Sequence, residues 1–133
     1  MTGMYSPRVK AGLFVVEGLN SLATTWYFYF LYFFMEREFG FGRLQNLLLA
    51  AGLGIVYTVA AAVGGKIGQK WGYFVAMRWG LGLLAVSLSA GAWMTSLVAH
   101  VVVAAVATVG ACFTWPSLEG GVSEGETPER LQR

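Results

Sequence analysis

One acidic residue, Glu17, lies inside a long apolar run and is the side chain best placed to do chemistry in this sequence. Asn20, Ser21 and Thr24 follow at spacings of three, four and seven residues, which puts all four side chains on one face of a helix. Charges at the centre of a membrane-spanning helix cost at least about 2.5–3.5 kcal/mol and usually face a cavity or a partner. This polar stripe predicts a substrate path or a proton site. The structural alternative is an interfacial acid that pairs with a basic residue near the N-terminus.

Three aromatic rings and a histidine extend this candidate path. The segment from Trp26 to Phe34 has eight aromatic residues in nine positions, a density that favours an aromatic belt at the outer membrane interface. Within it, Tyr27, Phe28 and Tyr32 are the rings that could continue the polar face and stack on a ligand. His100 could relay protons or contact a substrate, or simply hydrogen-bond a neighbouring helix.

The sequence offers little for metal, redox or covalent chemistry. It has one His, one Cys and no Asp, so metal-ligand spacing is absent and no cofactor is predicted. Cys112 has no intrachain partner for a disulfide and falls inside an apolar run. We expect it to be a small buried packing residue, because a reactive thiol needs an accessible thiolate.

Small residues recur every four positions towards the end of the second apolar run. Ala60, Gly64, Gly68 and Gly72 have the spacing that lets helix backbones approach closely. The sequence that follows predicts a short cytoplasmic turn with basic residues at the lipid headgroups. The residues of this turn motif are Gly65, Lys66, Gly68, Gln69, Lys70, Gly72 and Arg78.

The placement of the charges determines the elements that carry these residues. Hydrophobic residues make up 56% of the 133 positions and charged residues 12%, with a single charge in residues 11–35 and none in residues 44–65 or 79–118. A bilayer core needs about 20 apolar helical residues. We therefore predict an all-α membrane protein whose four transmembrane helices are residues 11–35, 44–65, 73–94 and 97–115. Residues 1–10 are predicted to be a cytoplasmic N-terminus, and residues 116–133 a cytoplasmic loop.

The basic residues predict the orientation. Seven of the nine Lys and Arg residues fall on the side of the two termini and the second connection, and two fall on the other side. Because positive residues stay on the cytoplasmic side, both termini are predicted to be cytoplasmic, in a multi-pass protein of the cell membrane. The composition excludes a soluble enzyme, and the dispersed net charge of +2 gives no indication of a nucleic-acid partner.

The turn between the second and third spans resembles a motif of the major facilitator superfamily of transporters. The family motif typically reads Gly-x-Leu-Ala-Asp-Arg-x-Gly-Arg-Arg. The matching positions here are Gly65, Ile67, Lys70 and Gly72, with Arg78 as a basic residue slightly further on. Two positions depart from the pattern, since Gln69 replaces the acid and Tyr73 replaces the first basic residue of the closing pair.

This resemblance implies the N-terminal four helices of a twelve-helix bundle. Such a protein is a secondary active transporter, which moves a small solute by alternating access between two six-helix halves. The partners implied are a small-molecule substrate, the lipid bilayer and the remaining helices of the same transporter. Thr127 and Pro128 suit a helix start, so we expect the sequence to be a fragment that stops before a fifth helix.

Two other interpretations remain open. A self-contained four-helix exporter, similar to the small multidrug resistance family, would also carry a single acid in its first helix and would work as a dimer. A membrane subunit without transport activity would use Glu17 and the glycine repeat to bind partner helices. Substitution of Glu17 separates these classes, since it should abolish coupled transport in either transporter and leave a structural subunit assembled.

Overall fold

The computed structural model describes residues 6–123, which form helices and the short connections between them. The four helices are α1 (Pro7–Phe39), α2 (Arg43–Trp71), α3 (Tyr73–Gly91) and α4 (Leu97–Ser123). No strand occurs in this part of the chain. The all-helical fold predicted from the apolar runs is confirmed for the described residues.

Three helices are long and apolar enough to span a membrane, namely α2, α3 and the Leu97–Gly120 part of α4. α1 is longer, with 33 residues, which corresponds to about 50 Å of helix. Glu17, Asn20, the tyrosines and the single tryptophan of α1 lower its apolar character. The three apolar helices indicate a membrane protein, and a fourth span through α1 remains a prediction.

Glycines and a serine define where the helices end. Gly40 caps the end of α1 with a left-handed backbone, at a φ of 67°. Gly72 alone separates α2 from α3 and has a φ of 95°, a conformation that favours glycine because it has no Cβ. Ser96 precedes α4, and its hydroxyl oxygen accepts a hydrogen bond of 3.2 Å from the backbone N–H of Ala99. Each connection is therefore specified locally by residue type.

The helix ends differ from the predicted spans. Residues 66–71 and 116–123 are helical, so α2 and α4 continue beyond the predicted spans. Conversely, α3 ends at Gly91 rather than Met94, because the backbone N–H groups of Trp93 and Met94 make three-residue turn bonds. A span needs to cover only the bilayer core, whereas a helix continues until something caps or breaks it. Residues 1–5 and the expected start of a fifth helix, in residues 124–133, lie outside the described residues.

Helices α3 and α4 touch at two glycines. A Cβ atom added at Gly80 would lie 2.7 Å from the carbonyl oxygen of Gly110, and one added at Gly110 would lie 2.9 Å from the carbonyl oxygen of Gly80. The two backbones are therefore in direct contact. This is the close approach that small residues permit between membrane helices, where dispersion contacts drive association.

The glycine repeat of α2 also allows close packing. A Cβ atom at Gly64 would lie 2.7 Å from a ring carbon of Phe113 on α4, and one at Gly68 would lie 3.1 Å from the ring of Tyr73. The predicted close packing is confirmed at these two glycines. Gly72 has open space around it and a positive φ, so its role is to form the turn between α2 and α3.

Helix α4 continues through Pro116. Proline has no N–H to donate, so the carbonyl of Cys112, four residues earlier, loses its usual partner. That carbonyl lies beside Gly64, where an added Cβ would approach it to 3.0 Å. The Cys112 thiol donates to the carbonyl oxygen of Tyr57 at 3.5 Å, and the residue is buried. The prediction of a buried packing cysteine is confirmed.

Helix α1 joins the bundle through a small apolar cluster. Leu31 and Met35 of α1 meet Leu53 of α2 and Ala104 of α4 in this cluster. Met35 is completely buried. Away from this cluster, α1 also contacts α4 through a buried hydrogen bond between Asn20 and Thr114, and the cavities described next lie in the spaces between these contacts.

Candidate functional site

A buried hydrogen bond joins α1 to α4 near the centre of the bundle. The side-chain amide nitrogen of Asn20 donates to the hydroxyl oxygen of Thr114 at 3.1 Å. Asn20 is 6% exposed and Thr114 is completely buried. Thr114 in turn donates to the carbonyl oxygen of Ala111 at 2.9 Å. A polar pair enclosed by apolar helices fixes the register of α1 against α4, because an unpaired amide there would be costly.

A cavity of about 430 Å³ lies beside this pair, between α1, α2 and α4. We call it the hydroxyl cavity. Its lining residues are Thr24, Thr25, Phe28, Tyr32, Ala50, Leu53, Gly54, Tyr57, Thr108, Ala111 and Trp115. The lining thus combines five hydroxyl groups with aromatic rings, a combination that suits a small solute with both polar and apolar parts.

The two buried threonines of this cavity have defined hydrogen-bond roles. Thr24 donates to the carbonyl oxygen of Asn20 at 2.7 Å, and Thr108 donates to that of Ala104 at 2.8 Å. A hydroxyl oxygen that donates its hydrogen keeps two lone pairs. Both threonines are therefore acceptors towards anything in the cavity, so the lining favours a ligand with N–H or O–H donors.

The predicted polar stripe is one face of α1, with differing burial along it. Asn20 and Thr24 are buried, whereas Glu17 and Ser21 are half-buried. Glu17 makes no hydrogen bond or ion pair with any residue from 6 to 123. It lies two helical turns from Thr24, about 10 Å along the helix axis. The stripe therefore leads from Glu17 to the hydroxyl cavity.

The aromatic segment of α1 divides between two faces. Tyr29 is 64% exposed, as expected for a ring that faces lipid. Trp26 and Phe33 are 65% and 58% exposed, although each also borders a cavity. Tyr27 and Phe28 turn inward and pack against the cluster around Met35. Phe28 lines the hydroxyl cavity, while Tyr27 does not.

Tyr27 and His100 belong to a second cavity, of about 340 Å³, between α1, α3 and α4. We call it the aromatic cavity. The His100 ring stands edge-to-face against Phe34 with 4.8 Å between ring centroids. Its Nε2 atom lies 3.1 Å from the carbonyl oxygen of Met94, in the α3–α4 connection. These contacts hold His100 in place next to that connection, so the structure does not bring it together with Glu17, Asn20 or Thr24.

A third cavity, of about 590 Å³, lies where α1 ends and α2 begins. We call it the charged cavity. Its lining residues are Tyr32, Phe33, Glu36, Arg43, Asn46, Leu47 and Ala50. Tyr32 and Ala50 also line the hydroxyl cavity, so the two cavities are neighbours with a shared wall.

The turn motif lies mainly on helix rather than in a loop. Gly65, Lys66, Gly68, Gln69 and Lys70 belong to the last turns of α2, Gly72 is the connection, and Arg78 is on α3. The basic residues and Gln69 are exposed, and Lys70 lies over the ring of Trp71 at 6.0 Å from its centroid. The motif thus forms an exposed, positively charged end of the bundle.

Several residues of the cavities were not predicted from the sequence. Thr108 and Thr114 are hydroxyl residues in an otherwise apolar, charge-free run, and that contrast was an available signal. Tyr57 and Asn46 stand out in the same way in the second run. Glu36 and Arg43 were counted only as loop charges, because nothing in the sequence indicates that they line one cavity.

No family model, curated protein or solved structure matches this chain. Within residues 6–123 no three His, Cys, Asp or Glu side chains stand close enough together to hold a metal ion.

Proposed function

We propose that this chain is the N-terminal four-helix portion of a secondary active transporter that moves a small solute by alternating access. The observation that carries the proposal is the hydroxyl cavity, about 430 Å³ between three helices and lined by threonine and tyrosine hydroxyls and by aromatic rings. Threonine and tyrosine side chains contribute polar groups to a lining that is otherwise apolar and aromatic. A solute that crosses the membrane needs such a surface to replace part of its water shell.

The second support is the acid at one end of the polar stripe. Glu17 is half-buried and unpaired among residues 6–123, and it shares a helix face with Asn20 and Thr24. A carboxylate in this position can bind and release a proton as its surroundings change between the two faces of the membrane. We therefore propose Glu17 as the coupling residue for protons, with both termini in the cytoplasm.

A transport assay on the full-length protein tests this function. The protein is reconstituted in liposomes that contain a pH-sensitive dye, and L-alanine, choline or lactate is added to sample zwitterionic, cationic and anionic solutes. We expect at least one class to move protons across the membrane. Glu17→Gln, which keeps the size and removes the charge, should abolish that proton movement. Glu119→Gln, an exposed acid on α4, should leave it unchanged.

The outcomes separate the classes of protein. Solute-linked proton movement that survives Glu17→Gln would contradict the coupling role. Complete absence of movement in an assembled, folded protein would favour the membrane subunit without transport activity. An open reading frame that continues past codon 133 with about eight further apolar spans would support the major facilitator arrangement over the self-contained dimeric exporter.

A further inference from the structure

The charged cavity contains a carboxylate and a guanidinium that do not pair with each other. Glu36 comes from the last turn of α1 and Arg43 from the first residue of α2. The tight connection through Gly40 turns the chain so that both side chains line the same cavity. The ion pair at this end of α1 is made instead by their neighbours, Arg37 and Glu38, whose side chains approach to 3.4 Å.

A buried amide oxygen in the same cavity wall lacks a donor. The amide nitrogen of Asn46 donates to the carbonyl oxygen of Tyr32 at 3.2 Å, which fixes the orientation of the amide. Its oxygen, Oδ1, is buried and has no hydrogen-bond partner. Rotating the amide by 180° would place that oxygen against another acceptor, so the orphan cannot be removed by exchanging the two atoms. A buried acceptor without a protein donor is uncommon, and a bound water or a ligand can supply the missing donor.

We propose that the charged cavity binds the zwitterionic head of a neutral α-amino acid. The carboxylate of the ligand pairs with Arg43, whose guanidinium can hold it with two parallel hydrogen bonds. The ammonium group donates to the Glu36 carboxylate, and to the orphan oxygen of Asn46 once the side chains that cover this buried oxygen move aside. Phe33 and Leu47, which line the same cavity, provide apolar surface for the ligand side chain.

Both charges of the ligand are needed in this arrangement. A cation alone would leave Arg43 without its counter-charge, and an anion alone would leave Glu36 and Asn46 without a donor. The inference rests on the proposed transport function and specifies its substrate class. The shared wall of Tyr32 and Ala50 lies between the charged cavity and the hydroxyl cavity, so a bound amino acid would next meet the threonine hydroxyls.

Equilibrium binding to the full chain in lipid nanodiscs tests the inference without requiring transport. Radiolabelled glycine, L-alanine and L-leucine are the probes, with L-leucine methyl ester and N-acetyl-L-leucine as competitors that keep only the positive or only the negative charge. We expect at least one probe to bind, and each competitor to bind at least about tenfold more weakly than L-leucine. No binding of any probe at about 10 mM, or equal binding of either competitor, would overturn the proposal. This comparison uses the unaltered protein, so it does not depend on how any variant folds.

Variants then assign the contacts. Arg43→Gln and Glu36→Gln should each weaken binding by about tenfold or more. Arg37→Gln and Glu38→Gln are the matched controls, because this neighbouring pair does not line the cavity, and they should change affinity by less than about twofold. Equal losses of affinity in the cavity variants and in the control variants would overturn the proposed site.

Two further results test the contact with the Asn46 amide and the link between binding and transport separately. Asn46→Leu, which keeps the volume and removes the acceptor, should also weaken binding, and unchanged affinity would mean that Asn46 does not contact the ligand. Amino-acid binding without any solute-linked proton movement would support the site and contradict the proposed transport. Transport of other solutes without amino-acid binding would support the proposed transport and contradict the amino-acid site.

Discussion

At the scale of single residues, the decisive contact is the hydrogen bond between Asn20 and Thr114. It connects two helices that otherwise meet mainly through the apolar cluster around Met35. Hydrogen bonds between helices in a membrane contribute modestly, because the separated helices also find partners in the bilayer. Its main effect is therefore on register, since it aligns the polar stripe of α1 with the threonines of α4.

A double-mutant cycle measures that bond. Asn20→Leu and Thr114→Val, alone and together, should show a coupling free energy of about 0.6–1.7 kcal/mol in reversible unfolding from detergent or bicelles. Thr58→Val is the control for the loss of a threonine hydroxyl that makes no contact between helices. The Thr58 hydroxyl is exposed and bonds only to the carbonyl oxygen of Gly54 on its own helix. Strictly additive effects of Asn20→Leu and Thr114→Val would show that the two side chains do not interact.

At the scale of helices, the bundle depends on glycines whose surroundings differ sharply. Gly80 and Gly82 are two residues apart on α3, yet only Gly80 faces α4. A Cβ atom at Gly80 would lie 2.7 Å from the Gly110 carbonyl oxygen and 2.9 Å from the Thr114 backbone nitrogen, whereas one at Gly82 meets nothing within 4 Å. Backbone atoms in a packed crossing have little room to shift, so the two positions should respond oppositely to the same change.

Gly80→Ala should lower the free energy of unfolding by about 1–3 kcal/mol, because the added methyl group separates α3 from α4. Gly82→Ala adds the same methyl group on the open face and should be neutral or stabilising, since alanine is the better helix former. Chemical or thermal unfolding of the two variants in the same detergent makes the comparison. Equal stability of the pair would contradict the direct backbone contact at Gly80.

The sequence was sufficient to predict features that depend on neighbouring residues along the chain. It was not sufficient for features that depend on contacts between helices. The four-residue spacing of Gly64 and Gly68 was sufficient to predict close packing. The pairing of Asn20 with Thr114 was not predictable, because these residues are 94 positions apart in sequence and meet only through the register between α1 and α4. The helix beyond Pro116 was missed since the loss of one N–H ends a helix only when the neighbouring contacts do not sustain it.

The same distinction applies to the candidate site. The helical spacing of Glu17, Asn20 and Thr24 was sufficient to place them on one face, and Thr24 does line the hydroxyl cavity. Spacing along one helix says nothing about which other helix supplies the opposite wall. Tyr57 and Thr108, which complete that wall, were therefore missed. His100 lies apart from the polar stripe, in the aromatic cavity, and its contribution to a substrate path stays a prediction.

At the scale of the whole molecule, the main question is whether α1 crosses the membrane. Three helices have the length and apolar character of spans, and α1 has the length. If α1 crosses, its two ends lie on opposite sides of the bilayer. The count of basic residues then predicts that Ser6 lies in the cytoplasm and the start of α2 outside.

Cysteine labelling in intact cells decides between these topologies. Ser6→Cys and Gln45→Cys are introduced separately at exposed positions, in a background carrying Cys112→Ser to remove the native thiol. A membrane-impermeant maleimide should label Gln45→Cys in intact cells and Ser6→Cys only after permeabilisation. Gln69→Cys, at the exposed end of α2, should behave like Ser6→Cys, because α2 returns the chain to the cytoplasm. Labelling of positions 6 and 45 from the same side would mean that α1 does not span, and the polar stripe would then face water rather than a path through the bilayer.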